Sequence, residues 1–222
     1  MSDQKNILMI VTNHNQIDAD HPTGLWFEEF AIPYQLFRQH TYTVTVASPK
    51  GGHAALDPRS SPSAEEAKTY ADALKALEYT EPLSSVNIDD YDAVFFPGGH
   101  GTMYDMPTAE VGQVVSKFLE ANKVVAAVCH GPAALVTAVQ SDGTPIVKGR
   151  KVTGFTNEEE EEVQLDKLMP FLLESRLREL GAEFVPNSKW SDHVIVDGNL
   201  ITGQNPQSSG SGAKAVIEAL SK

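Results

Sequence analysis

The stretch KVVAAVCHGPAALV, residues 123–136, decides the fold. Its first half is small, β-branched and apolar at successive positions, the habit of a strand covered on both faces. GPAALV then opens a helix near Gly131, so Cys129 stands on the turn between strand and helix. It is the only cysteine in the chain. Two readings of it stay open at this point. Free cysteine is among the most buried residue types, which makes a core residue of Cys129. A thiol on such a turn also holds a nucleophile's position, where the helix dipole favours the thiolate.

Working outward, short β-branched runs alternate with longer segments of helical period. Residues 6–12 (NILMIVT), 42–49 (YTVTVASP) and 91–99 (YDAVFFPGG) read, like 123–129, as buried parallel strands. Between them lie WFEEFAIPYQLFRQ (26–39), SAEEAKTYADALKAL (63–77) and TAEVGQVVSKFLEAN (108–122), with apolar residues at helical spacing. This β-α-β-α order predicts an α/β fold, a doubly wound, mostly parallel sheet sandwiched by helices, in one domain over residues 1–222. In the second half, PIVKGRKVTGF (145–155) reads as a strand pair turning at Lys148-Gly149, and HVIVDGNLITG (193–203) as a hairpin with positive φ at Asp197-Gly198. PFLLESRLREL (170–180) reads as a helix with Pro170 at its start and Gly181 past its end, and a last helix covers 208–220.

Composition restricts the partners. The formal net charge is −13, from 30 acidic against 17 basic residues with no basic cluster, which disfavours nucleic acid and anionic membranes. No apolar run approaches the roughly 20 residues needed to span a bilayer, and MSDQKN followed by ILMIV lacks the pattern of a signal peptide. A lone cysteine allows neither an internal disulfide nor a cysteine-built zinc site and suits a reducing compartment, so a cytoplasmic location is expected.

In a doubly wound sheet, ligands sit beyond the carboxyl ends of the strands. Two glycine-bearing loops fall there, PGGHGT (97–102) and CHGP (129–132), and their backbone N–H groups suit an oxyanion. Taken with VTGFTNEEEE (152–161) and SDHVIVDGNLITGQNPQSS (191–209), the segments FPGGHGTMYD and AAVCHGPAAL resemble the DJ-1/PfpI superfamily, in particular its Hsp31-like branch of glutathione-independent glyoxalases (glyoxalase III) and stress chaperones. The resemblance implies a flavodoxin-like sheet, shared with class I glutamine amidotransferases, with cap insertions around residues 13–24 and 51–87. It implies Cys129 as nucleophile, His130 as its base and Glu160, after TGFT, as the carboxylate that orients the histidine. Glu159 stays open for that last role. Glu29, five residues after Gly24, is implied as a second acid, and the N–H groups of Gly99 and His130 as oxyanion donors. The implied activity is that of a lyase of the D-lactate dehydratase type, turning methylglyoxal or glyoxal into lactate or glycolate without metal, glutathione or other cofactor. A homodimer and unfolded client proteins are implied as further partners.

Blander readings stand beside these. Five consecutive glutamates, 158–162, make a solvated first helical turn. His14, Asp18, Asp20 and His21 match no standard metal spacing and read as a polar loop. His100 reads as a loop residue, and Trp26 and Trp190 as core or pocket wall. An amidotransferase needs a distant histidine followed two residues on by glutamate, whereas His193 is followed by Val194 and Ile195. A cysteine peptidase or amidase, and a holdase chaperone or redox-sensing stress protein without turnover, remain as alternatives.

Overall fold

The computed structural model describes residues 4–222. Its strands are β1 (Asn6–Ile10), β2 (Gln16–Asp18), β3 (His21–Pro22), β4 (Thr43–Ser48), β5 (Glu81–Pro82), β6 (Ala93–Phe96), β7 (Val124–Val128), β8 (Lys151–Val152), β9 (Glu183–Phe184), β10 (Val194–Asp197) and β11 (Leu200–Gly203). The helices are α1 (Phe27–Gln39), α2 (Ala64–Thr69), α3 (Ala71–Glu78), α4 (Thr102–Asp105), α5 (Ala109–Glu120), α6 (Asn157–Glu162), α7 (Leu173–Glu179) and α8 (Ser209–Leu220). Seven strands form one sheet in the order β10-β11-β7-β6-β1-β4-β5, parallel except for the β10-β11 pair.

Both faces of β1 are covered, because alternate side chains serve different layers. Ile7, Met9 and Val11 pack with Phe27, Phe30 and Phe37 of α1 and with Ala213 and Val216 of α8. Leu8 and Ile10 face the opposite layer, with Val111, Val115 and Phe118 of α5. That two-sided burial is why the strand sequences read as continuous apolar runs. Chain order reverses at β1, which pairs with β4 on one side and β6 on the other. The crevice at this switch point receives the loops after β1 and β6, with the end of β7 next door.

Several sequence expectations change in detail. The helix expected from Gly131 is a 3-10 segment, Gly131–Leu135, and Pro132 deprives its first turn of one N–H. The 63–77 helix breaks at Tyr70 into α2 and α3. No strand pair turns at Lys148-Gly149: β8 pairs in parallel with β9, some thirty residues on, and Gly149 (φ 74°) closes a turn before it. The hairpin turn is Gly198-Asn199, with positive φ at Gly198 and not at Asp197. Pro170 precedes α7 by three residues, leaving Leu172 as the residue before its first turn.

Candidate active site

Cys129 follows β7 directly and adopts φ 60°, a left-handed conformation costly for any residue with a Cβ. Its N–H donates to the Gly203 carbonyl at 2.9 Å and its C=O accepts from Phe155 N–H at 2.9 Å, so β11 and the 153–156 segment hold the elbow from both sides. Gly131 lets the chain turn away: a Cβ there would stand 2.1 Å from the Phe96 carbonyl oxygen. Trp190 also takes a left-handed φ, 61°, so two strained residues line one cavity.

Around the thiol the structure gathers Glu29, His100, His130 and Glu160, all buried. Cys129 Sγ lies 3.4 Å from His130 Nδ1, and His130 Nε2 lies 2.6 Å from Glu160 Oε2. The other carboxylate oxygen, Oε1, is 2.6 Å from His100 Nε2. An ionised carboxylate accepts only, so both Nε2 atoms carry protons, and in a neutral ring His130 Nδ1 is the acceptor that faces the sulfur. Burial opposes the charge on Glu160, yet its two histidine partners outweigh burial and hold its carboxyl well below the usual range. For His100, burial, then the neighbouring His130, lowers the pKa to about 4.

Glu160 therefore meets His130, as its place after TGFT implies, and the five-glutamate run divides. Glu158, Glu161 and Glu162 are exposed, whereas Glu159 is buried in a different network. It closes a capping box with Thr156 and accepts from Trp190 N–H, Gln204 Nε2 and Asn205 Nδ2 at 2.9–3.1 Å. Glu159 thus ties α6 to the loops carrying Trp190 and Pro206, and makes no contact with His130 of the kind Glu160 makes. The expectation of a solvated first turn holds for three of the five.

Glu29 projects from the first turn of α1 while Glu28 faces solvent. Its Oε2 accepts the Gly98 N–H at 2.6 Å, and the buried carboxyl also faces the Cys129 thiol. Burial pushes the Glu29 carboxyl up to about 8. Burial also pushes the Cys129 thiol up, and the Glu29 charge beside it adds to the rise. The helix-dipole expectation for a thiolate is therefore corrected: a 3-10 turn supplies little dipole, and desolvation dominates.

The cavity above the sulfur encloses about 50 Å³ between Trp26, Phe155, Val163, Trp190 and Pro206, with Gly99, His100 and Arg59 completing its wall. The N–H groups of Gly99 and His130 have no hydrogen-bond acceptor among the described residues. A larger concavity, about 590 Å³ between Leu83, Ile88, Gln113 and Lys117, includes none of Cys129, His130, Glu160 or Glu29. The polar loop after β1 does not converge on a site: His21 pairs with Asp18, and His14 turns inward to stack on Tyr104 at 4.4 Å.

The sequence reading missed His100 and Arg59. Arg59 sits in a short 3-10 turn, Pro58–Ser60, within the 51–87 segment, and is clamped by Asp57 through Nε at 3.0 Å and Nη2 at 2.6 Å. That turn lies beside the 23–27 segment, fixed by Leu25 N–H to Ala55 C=O and Asp57 N–H to Leu25 C=O. Only the histidine in PGGHGT offered a signal, and nothing local to Arg59 points across the fold.

The family model described as the DJ-1/PfpI family matches residues 27–219. The chain belongs to the DJ-1/PfpI family. Among its relatives in the family, the glutathione-independent glyoxalase hsp3101 of Schizosaccharomyces pombe is 36% identical over 213 residues, covering 88% of this chain and 87% of the relative. The solved structure of glyoxalase III from Candida albicans superposes with a TM-score of 0.89 at 28% identity, covering 97% of each chain. The Rapid Encystment Protein 24 KDa of Francisella tularensis does so at 0.92 and 36% identity, covering 98% of this chain and 99% of the other.

Proposed function

We propose that the protein is a glutathione-independent glyoxalase that converts methylglyoxal or glyoxal to the corresponding 2-hydroxy acid on Cys129. The observation that carries this reading is a second, separate acid at the thiol: Glu29, buried against Cys129, with a pKa raised to about 8. Thiol hydrolysis needs only a base such as His130. Moving a carbon-bound proton needs another group with a pKa near neutrality.

The steps follow from the positions. Cys129 adds to the aldehyde carbon as its proton passes to His130 Nδ1, where Glu160 stabilises the cation. The oxyanion forms against the Gly99 and His130 N–H groups and takes up the proton, giving a hemithioacetal. Glu29, once ionised, removes the C1 proton and returns it to C2 through an enediol, while the C1 hydroxyl proton passes to the C2 oxygen, so that C1 becomes the thioester carbonyl and C2 carries the hydroxyl. The aldehyde carbon is thereby oxidised and the keto carbon reduced within one molecule. The resulting thioester is hydrolysed by water activated by His130, which releases the hydroxy acid and restores the thiol.

The small size of the cavity favours this reading over a peptidase, since about 50 Å³ of space at the sulfur suits a substrate of a few water-sized groups at roughly 10–15 Å³ each better than a polypeptide side chain. In this reading the insertions around 13–24 and 51–87 act as a cap on a single domain, the chain works as a cytoplasmic homodimer, and any capture of unfolded clients is a surface property separate from the thiol. No helix among the described residues is long and apolar enough to cross a membrane. Glu29→Gln tests the proposal. It should still form the Cys129 adduct, seen by mass spectrometry after trapping, while lactate falls by about 10²-fold or more; near-normal lactate overturns the proton-shuttle role.

A further inference from the structure

His100, His130 and Glu160 together make a buried grouping of two histidines and one carboxylate, with one ligand-type atom of each within 4.8 Å of the others. We propose that Arg59 is a positioning residue that locks His100 in its Nε2–H tautomer, and thereby keeps this grouping a proton network instead of a metal site. Arg59 Nη2 lies 3.0 Å from His100 Nδ1. A guanidinium can only donate, so Nδ1 must accept, and the single proton of the neutral ring must sit on Nε2. Nε2–H then donates to Glu160 Oε1, and the second carboxylate oxygen is left for His130. His130 Nδ1 consequently stays bare toward Cys129.

A metal ion bound through both Nε2 atoms would require each to be deprotonated, which moves the proton of a neutral ring to Nδ1. At His130 this is harmless, because Nδ1–H would face the sulfur. At His100 it would set N–H against the Arg59 N–H at 3.0 Å. Arg59 cannot step aside freely: Asp57, wholly buried, holds it by a fork and is itself held by Thr23 Oγ1 at 3.0 Å and by the Arg59 N–H at 2.9 Å. The fixed positive charge of Arg59 opposes a cation there as well. A residue of the 51–87 insertion thus sets the polarity of hydrogen bonds that end at the nucleophile.

The test compares the full chain carrying Cys129→Ser, which removes the thiol as an alternative ligand, with and without Arg59→Met. Nitrogen-15 NMR of histidine-labelled protein should show His100 protonated at Nε2 and bare at Nδ1 while Arg59 is present. Zinc and cobalt(II), titrated by calorimetry and by cobalt absorption, should bind about tenfold or more tightly once Arg59 is removed. If the orphaned Asp57 prevents folding, the same comparison in an Asp57→Asn background removes the unpaired charge. Equal metal affinity with and without Arg59, or a proton on His100 Nδ1 in its presence, overturns the proposal. Neither readout involves turnover, so the result is independent of whether methylglyoxal is the substrate.

Discussion

Replacing Glu29 by Gln should stabilise the protein while disabling it, and the gain should depend on pH. In the unfolded chain the carboxyl ionises near its ordinary value of 4.5; in the folded protein burial raises it to about 8. The folded state therefore holds a proton that the unfolded state releases. Stability associated with this group is fully present below pH 4.5, falls as pH rises through the interval, and is lost by about pH 8. At pH 7 the interval crossed is roughly 2.5 pH units, worth about 3 kcal/mol at ~1.4 kcal/mol per unit. Glutamine has nothing to ionise, and its amide oxygen can still accept the Gly98 N–H. At ~2–4 °C per kcal/mol for a chain of this size, the variant should melt roughly 6–12 °C above the wild type at pH 7, with most of that gain gone at pH 4.5. Thermal or urea unfolding of both proteins at the two pH values measures it. A gap that does not change with pH refutes the reasoning, because burial would then not be what holds the proton on Glu29.

Other outcomes follow from the same geometry. If Glu29 must shed its proton before accepting one from C1, kcat/KM should rise with pH through an apparent value of about 8, and a profile flat from pH 6 to 9 contradicts its role as base. Glu160→Gln should lower turnover by about 10²–10⁴-fold in the fraction that remains folded, since His130 loses the partner that fixes its tautomer. Glu159→Gln should act mainly on stability, by about 1–3 kcal/mol, through donors from Thr156, Trp190, Gln204 and Asn205 left without a charged acceptor. Gly131→Ala should destabilise by ~3 kcal/mol or more in a chemical denaturation curve, as its Cβ would meet the Phe96 carbonyl at 2.1 Å.

What the sequence disclosed was local or periodic. Four parallel strands were visible: β1, β6 and β7 are buried on both faces and write themselves as nearly unbroken apolar runs, whereas β4, TVTVAS, was legible from its β-branched residues and is buried only from Val46 on. Cys129, His130 and Glu29 were legible from short motifs, and Glu160 by counting from Gly154. What stayed hidden depends on partners distant in the chain. β8 pairs with β9 because of a contact that no local pattern announces. Burial of Glu159 is set by Gln204 and Asn205, forty-five and forty-six residues away. His100 and Arg59 carry ordinary loop signatures and gain their meaning only where the 51–87 segment meets the loop after β6. The thiol's raised pKa was likewise invisible, since it reports the desolvation of a folded cavity and the charge of Glu29.

The central claim, that Cys129 converts an α-oxoaldehyde without a thiol cofactor, is tested most directly by incubating the purified protein with methylglyoxal in the absence of glutathione and resolving the lactate by chirality. Stoichiometric conversion to one enantiomer, D-lactate, by the wild type, and none above background by a folded Cys129→Ser variant, is the expected result. Racemic or absent lactate from the wild type, or unchanged turnover by the variant, contradicts the claim.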